Sequence, residues 1–266
     1  MKKSLKKSLG QHFLIAPNTI KKTVGAAHVT KDDVVLEIGP GGGALTRELL
    51  LHAKKIIAIE KDGALIEKLQ QTFKKEIEEG TLELIHNDIL ECDFTTLGLV
   101  DGAYKVVANI PYYITGILIR TLLTNTIQPN TVVLIVQKEI AERIARDYKE
   151  SILSLSVKAY GTPKYISTIK PGAFRPPPKV DSAILLIENI SRDFFSTNGG
   201  DISEKDFFTT IKAGFSSKRK QVLNNLENIA DKEALTQIFK KLDIDVKIRA
   251  EDMTLEEWKM LIQSLK

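Results

Sequence analysis

A single cysteine, Cys92, in 266 residues excludes any disulfide within the chain. The histidines are as few: four, scattered at 12, 28, 52 and 86, with no zinc-like spacing among them or with the cysteine. No metal is expected. Long apolar runs are missing too, since none reaches the roughly 18–20 residues that cross a bilayer. The first residues, MKKSLKKSLGQHFLIAP, start basic like a signal peptide, but the apolar part, Phe13 to Ala16, is short and Pro17 closes it. With no export signal, no membrane segment and one thiol, the expectation is a protein of a reducing cytoplasm. Charge of one sign is not in large excess: 38 basic against 34 acidic residues gives +4, which permits a nucleic-acid partner without demanding one. Position says more than the total, because basic residues cluster at Lys2–Lys7 and Lys218–Lys220.

What is present is a rhythm of Val/Ile/Leu runs. DVVLEIG (33–39), KIIAIE (55–60), TLELIHND (81–88), KVVANI (105–110) and TVVLIVQ (131–137) read as buried strands. Between them GALTRELLLHA (43–53), GALIEKLQQTFKKEIEEG (63–80) and TGILIRTLL (115–123) have helical spacing. Strands of this kind alternating with helices predict an α/β fold with a mostly parallel sheet covered on both faces. KYISTI (164–169) and SAILLIE (182–188) follow one another without a helix between, which predicts an antiparallel hairpin at a sheet edge. After about residue 190 the strand signal stops. SRDFFSTNGGDISEKD reads as a linker, and FFTTIKAGFSSKRKQVLNNL, DKEALTQIFKKL and TLEEWKMLIQSL as amphipathic helices, with Asp231 and Thr254 as N-caps. The expected division is an α/β domain over 1–190 with a basic N-terminal arm, and a small all-helical, RNA-binding domain over 191–266.

EIGPGGGALT (37–46) joins the first strand to the first helix. Glycines let the backbone turn sharply and approach a ligand closely, though plain tight turns need them as well. Gly39, Gly41 and Gly43 alternate, with Glu37 just before, so the pattern is not the G-x-G-x-x-G of a dinucleotide site. Glu60 closes the second strand 21 residues after Gly39 and can accept both ribose hydroxyls of an adenosine. Asp88, after the third strand, can accept from an adenine amino group. Singly, either acid could be a solvated strand end. Together with the glycines they mark the rim where open α/β sheets bind ligands, and a nucleoside cofactor is the expectation.

The fourth strand ends in Asn109-Ile110-Pro111-Tyr112 at the same rim. EIGPGGG, IEKD, ND and NIPY, in that order, resemble the S-adenosylmethionine-dependent amino methyltransferases, whose Asn-x-Pro-Tyr tetrad serves methylation of exocyclic amines. With LGQHFL (9–14), AFRPPPKVDSA (173–183), FSSKRKQVLNNL and IRAEDMTLEEW, nearly the whole chain resembles the small-subunit ribosomal RNA adenine dimethyltransferase family, the one linked to kasugamycin sensitivity. The resemblance implies a Rossmann-like sheet, S-adenosyl-L-methionine as donor, and N6,N6-dimethylation of two adjacent adenosines near the 3′ end of 16S ribosomal RNA. It also implies a late role in small-subunit biogenesis. A monomer is expected, with no membrane partner.

The residue types suit that chemistry. The lone pair of an adenine N6 is drawn into the ring, so the amine needs acceptors that pull it toward tetrahedral geometry rather than a strong base. The Asn109 side-chain oxygen and the Ile110 carbonyl can supply them. Pro111 restricts Ile110 to an extended conformation, and Tyr112 offers a face for stacking. By the resemblance, Phe174 lies opposite Tyr112 and sandwiches the base; a buried loop anchor before three prolines is the alternative. The resemblance also sets His12 and Leu14 against the cofactor. Tyr113 departs from many relatives, and its reading is packing.

An adenine in a helix hides its amine, so the target must be unpaired or flipped. Lys218, Arg219 and Lys220, read at a helix start after Ser216–Ser217, are candidate phosphate partners, as are the N-terminal lysines; a solvated face is the alternative for each run. A large-subunit RNA methyltransferase shares the tetrad, but PPPKVDSA and RAEDMTLEEW fit it less well. A non-catalytic assembly factor would not need an intact tetrad. A nicotinamide oxidoreductase would need a glycine pattern that is absent here.

Overall fold

Apolar residues on both faces make Val34–Ile38 a strand that only a sheet interior can accommodate, and that is where the computed structural model places it. Residues 11–196 and 202–265 are described. The lysines at 2–7 lie outside the described residues. Two compact units divide the chain, residues 1–141 with 162–190 and residues 142–161 with 191–266. The reading from sequence put all of 1–190 in one piece. Here residues 142–161 join the C-terminal helices instead, because the helix over Ile152–Tyr160 packs against helices of that unit.

In chain order the first unit runs β1 (Phe13–Leu14), α1 (Pro17–Ala26), β2 (Val34–Ile38), α2 (Ala44–Leu50), β3 (Lys55–Glu60), α3 (Gly63–Thr72), α4 (Lys74–Glu78) and β4 (Leu82–His86). It continues with β5 (Tyr104–Asn109), α5 (Thr115–Thr124), β6 (Thr131–Gln137) and the start of α6 (Lys138–Ala145). After α7 (Ile152–Tyr160), which belongs to the second unit, it closes with β7 (Thr162–Ile169), β8 (Phe174–Arg175) and β9 (Ser182–Glu188).

Seven strands form one sheet in the order β4-β3-β2-β5-β6-β9-β7. The first five pair in parallel, and β9 runs antiparallel to both β6 and β7. The antiparallel pairing expected from sequence is present, with β7 at the edge and β9 inside it. Ile38 of β2 stands level with Ile59 of β3 and Ala108 of β5, so the C-terminal ends of these strands share one rim. Strand order reverses between β2 and β5. That is the switch point at which helices leave opposite faces and a crevice opens.

One predicted helix breaks. Residues 63–80 form α3 and α4, because Phe73 leaves helical geometry at φ −116° and ψ 31°. Its ring turns into the core and is 3% exposed. It packs where a side chain on Gly43 would be, 2.6 Å from an added Cβ. Periodicity does not reveal such a break, because Phe73 keeps its place on the apolar face. β1 and β8 make a separate two-stranded ladder, Phe13 opposite Arg175 and Leu14 opposite Phe174.

The second unit adds α8 (Asp193–Ser196), α9 (Glu204–Gly214), α10 (Val222–Asn225), α11 (Lys232–Lys241) and α12 (Leu255–Ser264) around Phe207, Phe239 and Trp258, none with exposed surface. Asp231 caps α11 through the N–H groups of Glu233 and Ala234, and Thr254 forms a capping box with Glu257. The stretch FFTTIKAGFSSKRKQVLNNL forms α9 and α10, with a turn between. The buried Asn225 amide holds that turn by donating to the carbonyls of Gly214 at 2.5 Å and Ser217 at 3.0 Å.

Candidate active site

At the reversal point lies a cavity of about 230 Å³. Its floor is the rim of β2, β3 and β5. Gly39, Gly41 and Gly43 have φ of +68°, +57° and +77°, a region L side chains avoid. On the cavity lining the close approach is at Gly41, where an added Cβ would stand 3.0 Å from the Phe13 ring. Glu60 at the end of β3 is 5% exposed, and its carboxylate binds the loop itself. One oxygen accepts the Gly41 N–H at 3.1 Å and the other the Asp62 N–H at 2.9 Å. Burial raises the Glu60 carboxyl above its ordinary range, and these N–H groups partly offset the shift. Asp88 accepts from Lys61 Nζ at 2.5 Å and from the Leu90 N–H at 3.1 Å. The Lys61 ammonium is the main reason its carboxyl sits below the usual value.

Asn109 ends β5. Its side-chain nitrogen donates to the His12 carbonyl at 2.9 Å. A carbonyl can only accept, so the amide is turned with its oxygen free to accept from a ligand. His12 is held from its other side, its Nδ1 donating to the Pro176 carbonyl at 2.7 Å, and the Ile15 N–H reaches the Ala173 carbonyl at 2.8 Å. Pro111 stands at φ −58° and ψ 134°, and Tyr112 to Ile114 form a short 3-10 turn. The Tyr112 hydroxyl lies 2.6 Å from Ser182 Oγ. Burial raises the Tyr112 phenol above its ordinary value, and the bond to Ser182 partly counters this.

The cavity brings together His12, Leu14, Gly39, Gly41, Glu60 and Asp88 with the tetrad Asn109, Ile110, Pro111 and Tyr112. Two residues expected there are elsewhere. Glu37 is 1% exposed and faces away from the cavity, because side chains alternate along β2 and it is Ile38 that lines the opening. Neither Glu37 oxygen has a hydrogen-bond partner. Burial pushes its carboxyl up to about 8; the Thr46 hydroxyl and N–H pull the other way without closing to bonding geometry, and Glu60 adds a repulsion. Phe174 is 3% exposed within the hydrophobic core. The β1–β8 ladder turns it inward and Arg175 outward, and it does not line the cavity. The ring nearly parallel to Tyr112 is that of His12, with centroids 6.1 Å apart and planes at 27°. Lys218, Arg219 and Lys220 are exposed in the turn before α10 rather than on a helix start.

Sequence reasoning missed Phe13, Lys61, Asn87 and Ser182. The first three flank residues already singled out, so adjacency was the available signal. Ser182 had none, since its partner is 70 residues away. Among the described residues no cluster of side chains could hold a metal ion, and no helix is long and apolar enough to cross a membrane.

A family model described as "Ribosomal RNA adenine dimethylase" matches residues 2–266. The chain is 41% identical over 259 residues to "Ribosomal RNA small subunit methyltransferase A" of Dehalococcoides mccartyi (strain CBDB1), covering 96% of this chain and 87% of that one. It is 37% identical over 258 residues to the protein of the same name from Clostridium botulinum (strain ATCC 19397 / Type A), covering 95% and 90%. Among solved structures, a dimethyladenosine transferase from Plasmodium falciparum superposes with a TM-score of 0.78 at 29% identity, over 94% of this chain and 96% of that one. The 23S rRNA methyltransferase ErmE shares the fold, with a TM-score of 0.75 at 22% identity, over 95% and 99%.

Proposed function

This chain belongs to the ribosomal RNA adenine dimethylase family, and from that premise we propose how its cavity works and on which nucleotides. It is an S-adenosylmethionine-dependent rRNA adenine N6,N6-dimethyltransferase acting on 16S ribosomal RNA. Its targets are two adjacent adenosines near the 3′ end, methylated late in small-subunit biogenesis by a cytoplasmic monomer. The observation that carries the mechanism is the Asn109 amide, whose nitrogen is tied to the His12 carbonyl and whose oxygen is left to accept.

The donor fits the lining. Positive-φ glycines allow close backbone approach, and two carboxylates at strand ends offer acceptors. Glu60 would take the ribose hydroxyls, Asp88 the adenine amine, and Gly39, Gly41, His12 and Leu14 would border the rest. When bound, S-adenosylmethionine supplies an electrophilic methyl on a sulfonium. The remaining work belongs to the protein. Asn109 Oδ1 and the Ile110 carbonyl accept from the target amine and pull it toward tetrahedral geometry. Tyr112 stacks on the base, a contact worth about 1–3 kcal/mol. Acceptors already held in place act through orientation and electrostatics. No base is required at N6, because its proton becomes acidic once the new bond forms. Lys218, Arg219 and Lys220 would meet phosphates of the RNA.

The test is to incubate the protein with labelled donor and either immature small subunits or naked RNA, and to map the labelled nucleotide. Dimethyladenosine in the particle, and almost none with Asn109→Ala, is the expected result. Normal turnover by that variant would remove Asn109 from the mechanism, and label confined to large-subunit RNA would overturn the substrate.

A further inference from the structure

Tyr112 stands on a 3-10 turn outside the sheet. A ring in such a place has two side-chain torsions to settle, and a stacking surface that swings does little for a reaction governed by alignment. The phenol, however, is tied down at 2.6 Å to Ser182 Oγ. Ser182 has no exposed surface and opens β9, level with Gln137 of β6 on one side and Ile169 of β7 on the other. The anchor is therefore in the paired interior of the sheet rather than on another loop. A phenol oxygen lies on the axis about which the ring turns. A bond to it fixes where the ring points and leaves the tilt about that axis to the neighbours. The neighbour here is His12, itself fastened to the Pro176 carbonyl.

We propose that Ser182 is a positioning residue for the methyl transfer, its buried hydroxyl holding the Tyr112 ring where an unpaired adenine stacks beside the Asn109 amide. Ser182 touches no reacting atom and acts through Tyr112. The inference rests on the adenine-methylating reading above and adds the residue that aims the stacking surface. It bears most on the second transfer. Once N6 carries a methyl, the base has to be seated again with its one remaining N–H toward an acceptor and its lone pair toward the donor. The bulkier amine has fewer acceptable seats, so a ring free to swing impairs this step more than the first.

Tyr112→Phe removes the bond from the ring side and leaves the sheet untouched, while Ser182→Ala removes it from the sheet side. Both are assayed as full-length protein with S-adenosylmethionine and unmodified small ribosomal subunits, and mono- and dimethyladenosine are quantified after digestion. Each variant is expected to lower kcat about tenfold with donor affinity unchanged. Each should raise the ratio of mono- to dimethyladenosine several-fold, and the double variant should be no worse than either single one. Wild-type kcat and product ratio in Tyr112→Phe would overturn the proposal. So would additive losses in the double variant, or a loss confined to Ser182→Ala, which would place the effect in sheet packing. Should Ser182→Ala fail to fold, Tyr112→Phe carries the test alone. A wild-type protein that forms no methyladenosine would overturn the functional reading itself, an outcome distinct from an active wild type with indifferent variants.

Discussion

The Asn109 side chain and the His12 carbonyl meet at 2.9 Å across 97 residues of sequence. One bond thus serves two purposes: it closes β1 over the rim, and it turns the amide so that its oxygen is available. On the proposed mechanism, replacing Asn109 with Ala removes an acceptor for the target amine. We expect kcat to fall by about 10²–10³, by analogy with the loss of a single group from a preorganised electrostatic site. Single-turnover methylation, with a melting curve to confirm folding, checks it.

Glu37 predicts a pH dependence of stability. Its carboxyl titrates near 8 in the fold against 4.5 in its ordinary state, because burial disfavours the charge. Between these values the unfolded chain has released a proton that the folded chain retains, so stability falls as pH rises from about 4.5 and levels off above about 8. At about 1.4 kcal/mol per unit, the span is on the order of 5 kcal/mol at most. Glu37→Gln, neutral at every pH, should flatten this part of the profile and be the more stable protein at pH 8. Urea denaturation across that range measures it.

Gly43 makes a packing prediction. Gly43→Ala meets both a left-handed backbone, at φ +77°, and the Phe73 ring. The two costs together should come to about 2–4 kcal/mol. Adding Phe73→Leu should recover the part of the cost due to the ring and leave the backbone part and the contact with Leu69. Comparing the denaturation midpoints of the single and double variants separates the two.

Lys218, Arg219 and Lys220 predict salt dependence. If all three meet phosphates, replacing them with Ala should lower the magnitude of the log-affinity against log-salt slope by about 2–3. Donor binding should be unaffected. Titrations of the RNA-bearing particle between low and moderate salt, on both proteins, give the slopes.

Much of this site was readable in advance, for a physical reason. Parallel strands are fully buried, so Val34–Ile38, Lys55–Glu60 and Tyr104–Asn109 read as nearly continuous apolar runs, and the residues at their C-terminal ends must stand at the rim. Gly39, Glu60 and Asn109 follow from that alone. Glu37 misled because it is acidic and next to the glycines, whereas one step along a strand reverses the face. Phe174 misled in the same way: pairing with the two residues of β1 decides its direction, and a ladder of two residues has no periodicity to detect. The break at Phe73 and the bond from Tyr112 to Ser182 depend on tertiary neighbours, which local pattern does not encode. Asp231 and Thr254 were legible because capping is settled within three residues.

The short β1–β8 ladder also bears on how the protein is made. His12 leaves the ribosome early, yet the carbonyl it binds belongs to Pro176, 164 positions later. Until that residue emerges, the segment beside the crevice can reach Asn109 but not its second fastening, which waits on a contact 164 positions long. A nascent chain can complete its central strands and still have a crevice fastened at one point only. On the proposed reading, the full enclosure of the donor is acquired late in the synthesis of the unit.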